Sequence, residues 1–201
     1  MEQFKLAEFN IPKLKGISEK NIEEHLKLYA GYVKHANLIL EAIEKSPSNE
    51  LAAADAYASA ELQRRFAFEF NGMRNHEYYF RSFEEGPKKL SENSGLRSKI
   101  ESDFGSFDSW LNRFEATAKT RGIGWAMLLY DPVSEKLLTN WVDEQHINQL
   151  NGCKTILALD MWEHSFVADY QPSGKGQYID DFFANLNWEV IETNFSHKRI
   201  A

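Results

Sequence analysis

The sequence holds a single cysteine, Cys153, in 201 residues. A lone thiol cannot close an internal disulfide, which fits a reducing compartment. No apolar run approaches the roughly 18 residues that a membrane-spanning helix needs. The opening stretch MEQFKLAEFN lacks the apolar core of a secretion signal, so a cytoplasmic protein with no membrane partner is expected. Internal repeats, low-complexity tracts and blocks of like charge are all missing. Positive charge is in deficit, with 23 Lys and Arg against 30 Asp and Glu for a net charge of −7. That balance argues against a phosphate-backbone binder, so no nucleic-acid partner is expected. What the chain does have is apolar and aromatic mass: 43% hydrophobic residues, with five Trp, eight Tyr and fourteen Phe. Such a composition excludes disorder, and the length suits one large or two small domains.

Residues 17–46 contain no proline and read as a helix. Ser18 offers an N-cap, and Ile22, Leu26, Tyr29, Val33, Ala36 and Leu40 recur at the spacing of one helix face. Ser46-Pro47-Ser48-Asn49 reads as a turn, and residues 51–83 as a second long helix, so an antiparallel hairpin is expected. Gly86-Pro87 is the best linker candidate, which divides the chain into a helical-hairpin domain, 1–88, and a second domain, 89–201. In the second part, 96–103 and 106–120 look helical, the latter capped by Ser106. Residues 122–131 and 136–142 read as strands joined by a turn at Asp131-Pro132, and 154–160 as a buried strand. Residues 177–195 close the chain with helical periods. The expected fold is α+β, with a three-stranded antiparallel sheet flanked by helices behind the hairpin.

Six histidines are spread along the chain, at positions 25, 35, 76, 146, 164 and 197. His25 falls in the first helix and His76 late in the second. Asp160 ends an apolar strand, and His164 follows four residues later. A carboxylate and an imidazole one turn apart make a workable metal-ligand pair, and two histidines from a hairpin complete four-coordination. A di-iron carboxylate bundle is excluded, because no histidine has Glu three residues before it. Gly174-Lys175-Gly176 lacks the spacing and the Ser/Thr of a phosphate-binding loop.

At these residues the sequence resembles the iron/manganese superoxide dismutases. Asp160-Met161-Trp162-Glu163-His164 matches that family's D-x-W-E-H signature. Asn75-His76-x-x-Tyr79-Phe80 resembles its N-H-x-x-[YF] segment, Gly122-x-Gly124-Trp125-x-x-Leu128 its G-S-G-W-x-x-L strand, and Asn187-Trp188 its V-N-W near the C-terminus. The resemblance implies one Fe or Mn per chain, held between a helical hairpin and an α+β domain by His25, His76, Asp160 and His164. It implies a reaction that turns superoxide into O₂ and H₂O₂ as the metal cycles between +3 and +2. It also implies a glutamine hydrogen-bonded to metal-bound solvent. Gly72 stands at the helix position that can carry that glutamine, and Gln145 lies within one residue of the sheet position, with His146 as a neighbour competing for the role. Trp125 and Trp162 become walls of the metal pocket. Glu163 becomes the residue that bonds His164 across a two-fold axis, in a homodimer or higher homo-oligomer.

The departures from the family pattern are equally specific. The family places a second histidine four residues after the first ligand and a tyrosine eight after it. Here Tyr32 lies seven residues after His25, and an ungapped alignment puts Glu24 on the ligand position. Helix geometry favours His25, because residues seven apart lie about 20° from each other around a helix and residues eight apart about 80°. Tyr32 and Tyr29 then share the His25 stripe; Tyr32 is expected to line the approach to the metal, and Tyr29 either to join it there or to pack in the core. The second histidine is missing, and Val167 stands where the family carries a tyrosine. The alternative reading is therefore a family member with impaired catalysis that acts as a structural or interaction subunit.

Overall fold

The computed structural model describes residues 2–45 and 53–196. The hairpin is formed by α1 (Glu19–Lys45) and α2 (Ala53–Arg81). The expected turn at 46–49 lies outside the described residues. Ser18 caps α1 as expected, its Oγ accepting from the Asn21 N–H at 3.1 Å. The buried stripe of α1 is Ile22, His25, Tyr29, Val33, Ala36 and Ile39. An imidazole therefore occupies one of the apolar positions along that stripe.

After the hairpin come α3 (Gly95–Phe104) and α4 (Phe107–Ala118), each capped by a serine: Ser94 and Ser106 accept from the N–H of Arg97 and Ser109. The strands β1 (Gly124–Asp131), β2 (Lys136–Asp143) and β3 (Lys154–Asp160) form one antiparallel sheet in the order β2-β1-β3. In the turn between β1 and β2, the Asp131 carboxylate accepts from the N–H groups of Val133 and Ser134. β1 is the central strand and is buried from Gly124 through Leu129, so its continuous apolar run reflects cover on both faces. Register places Trp125 opposite Asp160, at the end of the sheet that meets the hairpin.

The run 177–195 departs from the expectation of continuous helical periods. It splits into α5 (Lys175–Asn185) and α6 (Trp188–Ser196), with Leu186 in extended backbone between them. The cause is tertiary. Lys88 N–H donates to the Leu186 carbonyl at 3.0 Å, and Asn187 N–H donates to the Ser82 carbonyl at 2.7 Å. The Asn187 side chain donates to the Glu84 carbonyl and accepts from the Glu189 N–H, capping α6. The corner thus takes up backbone groups left open by the Gly86-Pro87 linker.

Asp181 on α5 ties the N-terminal segment to this layer. Its carboxylate accepts from Lys15 Nζ at 3.0 Å, Tyr170 Oη at 2.9 Å and Gln177 Nε2 at 3.0 Å. Burial alone would raise its pKa, but the three donors outweigh burial and hold it below the usual carboxylate range. A lowered folded-state pKa contributes stability above the unfolded value, about 3.9, and that stability is lost as pH falls through the folded value. Asp181→Asn is expected to cost about 1–3 kcal/mol at neutral pH. The deficit should shrink below about pH 4, as read from urea midpoints at pH 7 and pH 3.

Candidate metal centre

Four elements converge on one point. α1 brings His25, α2 brings His76, the end of β3 brings Asp160, and the 3₁₀ turn Glu163–Ser165 brings His164. One ligand atom from each lies within 4.8 Å of all the others, and they are the one such cluster found among the described residues. Asp160 Oδ2 is the hub, 3.1 Å from His25 Nε2, 3.3 Å from His164 Nε2 and 3.6 Å from His76 Nε2. His25, His76 and Asp160 have no exposed side-chain surface, while His164 is 23% exposed and marks the open side.

Hydrogen bonds fix the orientation of each group. His76 Nδ1 lies 2.6 Å from the Gly72 carbonyl. A carbonyl only accepts, so Nδ1 must carry the proton and Nε2 presents a bare lone pair. That Nε2 is buried, has no hydrogen-bond partner among the described residues, and faces the Asp160 carboxylate. A lone pair opposite a carboxylate, sealed from water, is the arrangement a cation between them would satisfy. Asp160 Oδ1 accepts from the Trp162 N–H at 2.8 Å, and its main-chain carbonyl from Tyr178 Oη at 2.9 Å and Ser165 Oγ at 3.0 Å.

The electrostatics suit a metal donor set. Burial, then the neighbouring His25, pushes the His76 pKa down to about 3, so its imidazole is neutral. Burial likewise lowers His25. Burial alone would raise Asp160, but His164 and His25 outweigh it and keep the carboxyl ionised. Imidazole nitrogens and one carboxylate form a mixed N/O set appropriate to a first-row divalent or trivalent ion.

Around the ligands, Gln145 is the central linker. It is fully buried, its Oε1 accepts from Trp125 Nε1 at 2.9 Å, and its Nε2 donates to Tyr32 Oη at 2.9 Å. Its main-chain carbonyl accepts from Asn75 Nδ2 at 3.0 Å. The space left by Gly72 is filled by Tyr32, because a Cβ there would lie 2.5 Å from the tyrosine ring. Trp125 packs edge-on against His76, and Trp162 stacks on His164.

Glu24, the rival for the first ligand position, points outward with its side chain 60% exposed and bonded to Lys27. Tyr29 does not share the approach with Tyr32. It is turned into the core, where its hydroxyl accepts from the Ala7 N–H and donates to Glu77. His146 packs on Phe68 and does not take the place of Gln145. Sequence reasoning passed over Phe68, which touches Tyr32, His146 and Trp162. It also passed over Tyr178, 18 residues from the carbonyl it caps. Neither carries a local signal, since each meets the site only through the fold.

A helical hairpin and an α+β unit that each lend two ligands to one buried point define a mononuclear metalloprotein. Residues 92–194 match the family model described as "Iron/manganese superoxide dismutases, C-terminal domain". The chain is 35% identical over 187 residues to Superoxide dismutase [Fe] of Cupriavidus metallidurans, covering 92% of this chain and 91% of that protein. It is 34% identical to Superoxide dismutase [Fe] of Aquifex pyrophilus, covering 90% and 85%, and 34% identical to Superoxide dismutase [Mn] of Haloarcula marismortui, covering 89% and 90%. The chain belongs to the iron/manganese superoxide dismutase family.

Proposed function

We propose that this protein is a superoxide dismutase with one Fe or Mn per chain, held by His25, His76, Asp160 and His164. The observation that carries the reading is the bare His76 Nε2 facing the Asp160 carboxylate in a dry pocket. When bound, the metal supplies one-electron chemistry, taking an electron from one superoxide and giving it to the next. The chain's own residues do the rest. Trp125 and Trp162 exclude water from two sides of the pocket. Tyr32 receives its hydrogen bond from Gln145, so its own O–H remains to be donated to an anion beside it. Burial, followed by the charges of Asp160 and Glu69, raises the Tyr32 pKa and keeps the phenol protonated until the anion arrives. The test is metal analysis of purified protein with a superoxide assay before and after chelation. Loss of activity on chelation and its return with Fe or Mn are expected. Metal-free protein from metal-replete cells would instead favour an impaired, structural family member.

The same reading makes the protein a homodimer or a higher homo-oligomer in the cytoplasm, with the hairpin and α+β units divided near residue 88. Glu163 is exposed beside the partly open His164, available to bond His164 of the partner subunit in an isologous pair. Glu163→Ala is expected to shift the protein toward monomer in sedimentation. It should also lower metal affinity about 10–100-fold, as loss of an acceptor behind a ligand does. A wild-type protein that sediments as a monomer at micromolar concentration refutes the assignment.

A further inference from the structure

Among the described residues, four that are not glycine take left-handed backbone: Glu85, Glu135, Glu144 and Asn148. Asparagine tolerates that region, but for most side chains it is uncommon and for β-branched ones a true outlier. Glu144, at φ +51°, immediately precedes Gln145. Its carboxylate takes no ion pair or hydrogen bond among the described residues, so its backbone is what holds it. The Glu144 N–H donates to the Ile123 carbonyl at 3.0 Å, and its carbonyl accepts from Trp162 Nε1 at 3.1 Å. On either side, Asp143 and Ile147 exchange N–H to carbonyl bonds at 3.0 and 3.1 Å, closing a short loop at the end of β2. Asp143 Oδ2 also accepts from Asn148 Nδ2 at 2.7 Å, bracing the far side of that loop.

Strand alternation shows why the chain must turn there. Val142 pairs with Trp125, so the two share one face of the sheet, the face on which Trp125 meets His76. Were β2 to run on straight, Gln145, an odd number of residues beyond Val142, would fall on the opposite face. Gln145 instead reaches the Trp125 face, where its Oε1 accepts from Trp125 Nε1 and its Nε2 donates to Tyr32 Oη, each at 2.9 Å. We propose that Glu144 is a positioning residue. Its left-handed backbone, not its carboxylate, swings the Gln145 amide onto Trp125 and Tyr32 and ties the loop to the Trp162 wall beside His164. With Nε2 of Gln145 on the acceptor side of Tyr32 Oη, the phenol proton is left for a bound anion, a consequence that rests on the dismutase reading.

The test compares Glu144→Asn, Glu144→Ala, Glu144→Val, Gln145→Ala, the double variant Glu144→Val/Gln145→Ala and Glu135→Val with the metal-loaded wild type. The readouts are the Kd for azide, a small anion followed by optical titration, and kcat. Glu144→Asn loses the charge but accepts the turn, so both values should stay within about twofold of wild type. Glu144→Val should raise the azide Kd about tenfold, the worth of one hydrogen bond to a charged group. It should lower kcat about 10–100-fold, as loss of a partner behind a site does, with Glu144→Ala in between. Gln145→Ala should show the same losses, and adding Glu144→Val to it should change neither value further, because a residue that acts through another is not additive with it. Glu135→Val puts the same strain, at φ +54°, into the β1–β2 turn and should keep both values even where its Tm falls. Should Glu144→Val fail to fold, Glu144→Ala against Glu144→Asn makes the same comparison. Asn as impaired as Val or Ala, no loss in either of those, additive losses in the double variant, or an equal loss in Glu135→Val each overturns the inference. A wild-type protein that holds its metal yet leaves superoxide untouched overturns the dismutase reading alone, because the azide series still decides the role of Glu144.

Discussion

His25→Ala is expected to leave the protein without metal, while Glu24→Ala keeps a full complement. The two residues are neighbours in sequence, but adjacent helix positions diverge by about 100°. His25 is enclosed and reaches Asp160 Oδ2 at 3.1 Å, whereas Glu24 is 60% exposed and bonded to Lys27. Removing a ligand should exceed the roughly 10–100-fold affinity loss seen when only a residue behind a ligand is changed. Asp160→Ala should be as severe, since that carboxylate is the hub of all three imidazoles. Metal per chain, measured by mass spectrometry after expression in metal-replete medium, decides the matter. Metal-free Glu24→Ala beside metal-replete His25→Ala would move Glu24 into the ligand set.

Gly124→Ala should cause the largest loss of stability among conservative substitutions in the sheet. Gly124 opens β1 at φ +159°, and a Cβ there would collide with the Val142 carbonyl on the paired strand. Backbone cannot rotate away as a side chain can, so either the β1–β2 pairing or the strand start must shift. The Gly124 carbonyl also accepts from the Met161 N–H at 2.9 Å, next to Asp160, so displacement reaches the metal site. Strain and overpacking together amount to about 2–5 kcal/mol. That corresponds to a Tm lower by roughly 5–15 °C for a chain of this length. Gly176→Ala is the control. Gly176 lies within α5 with nothing within 4 Å of its added Cβ, so it should be neutral or slightly stabilising. Equal losses in both variants would refute the steric argument.

Much of this protein was legible from the order of its residues alone. The α1 stripe from Ile22 to Ala36, the caps at Ser18 and Ser106 and the turn at Asp131 are local, because each depends on residues within one or two turns of one another. The pairing of Asp160 with His164 is local for the same reason, and the motifs around it carried the family and the donor types. The break between α5 and α6 was not local. Helical periodicity continues through Leu186 and Asn187, and only the backbone of Ser82 and Lys88, about a hundred residues away, draws that corner out of the helix. Tyr29 and Tyr32 make the same point within a single helix. Both lie on the His25 side, but Ala7 and Glu77 claim the hydroxyl of Tyr29, while the gap at Gly72 and the amide of Gln145 receive Tyr32. Sequence by itself named the four side chains that the fold gathers at one point and roughly which face they share. Tertiary structure decided which of them meet, because hydrogen bonds and close packing between distant segments select one partner from several that helix or strand geometry leaves equally open.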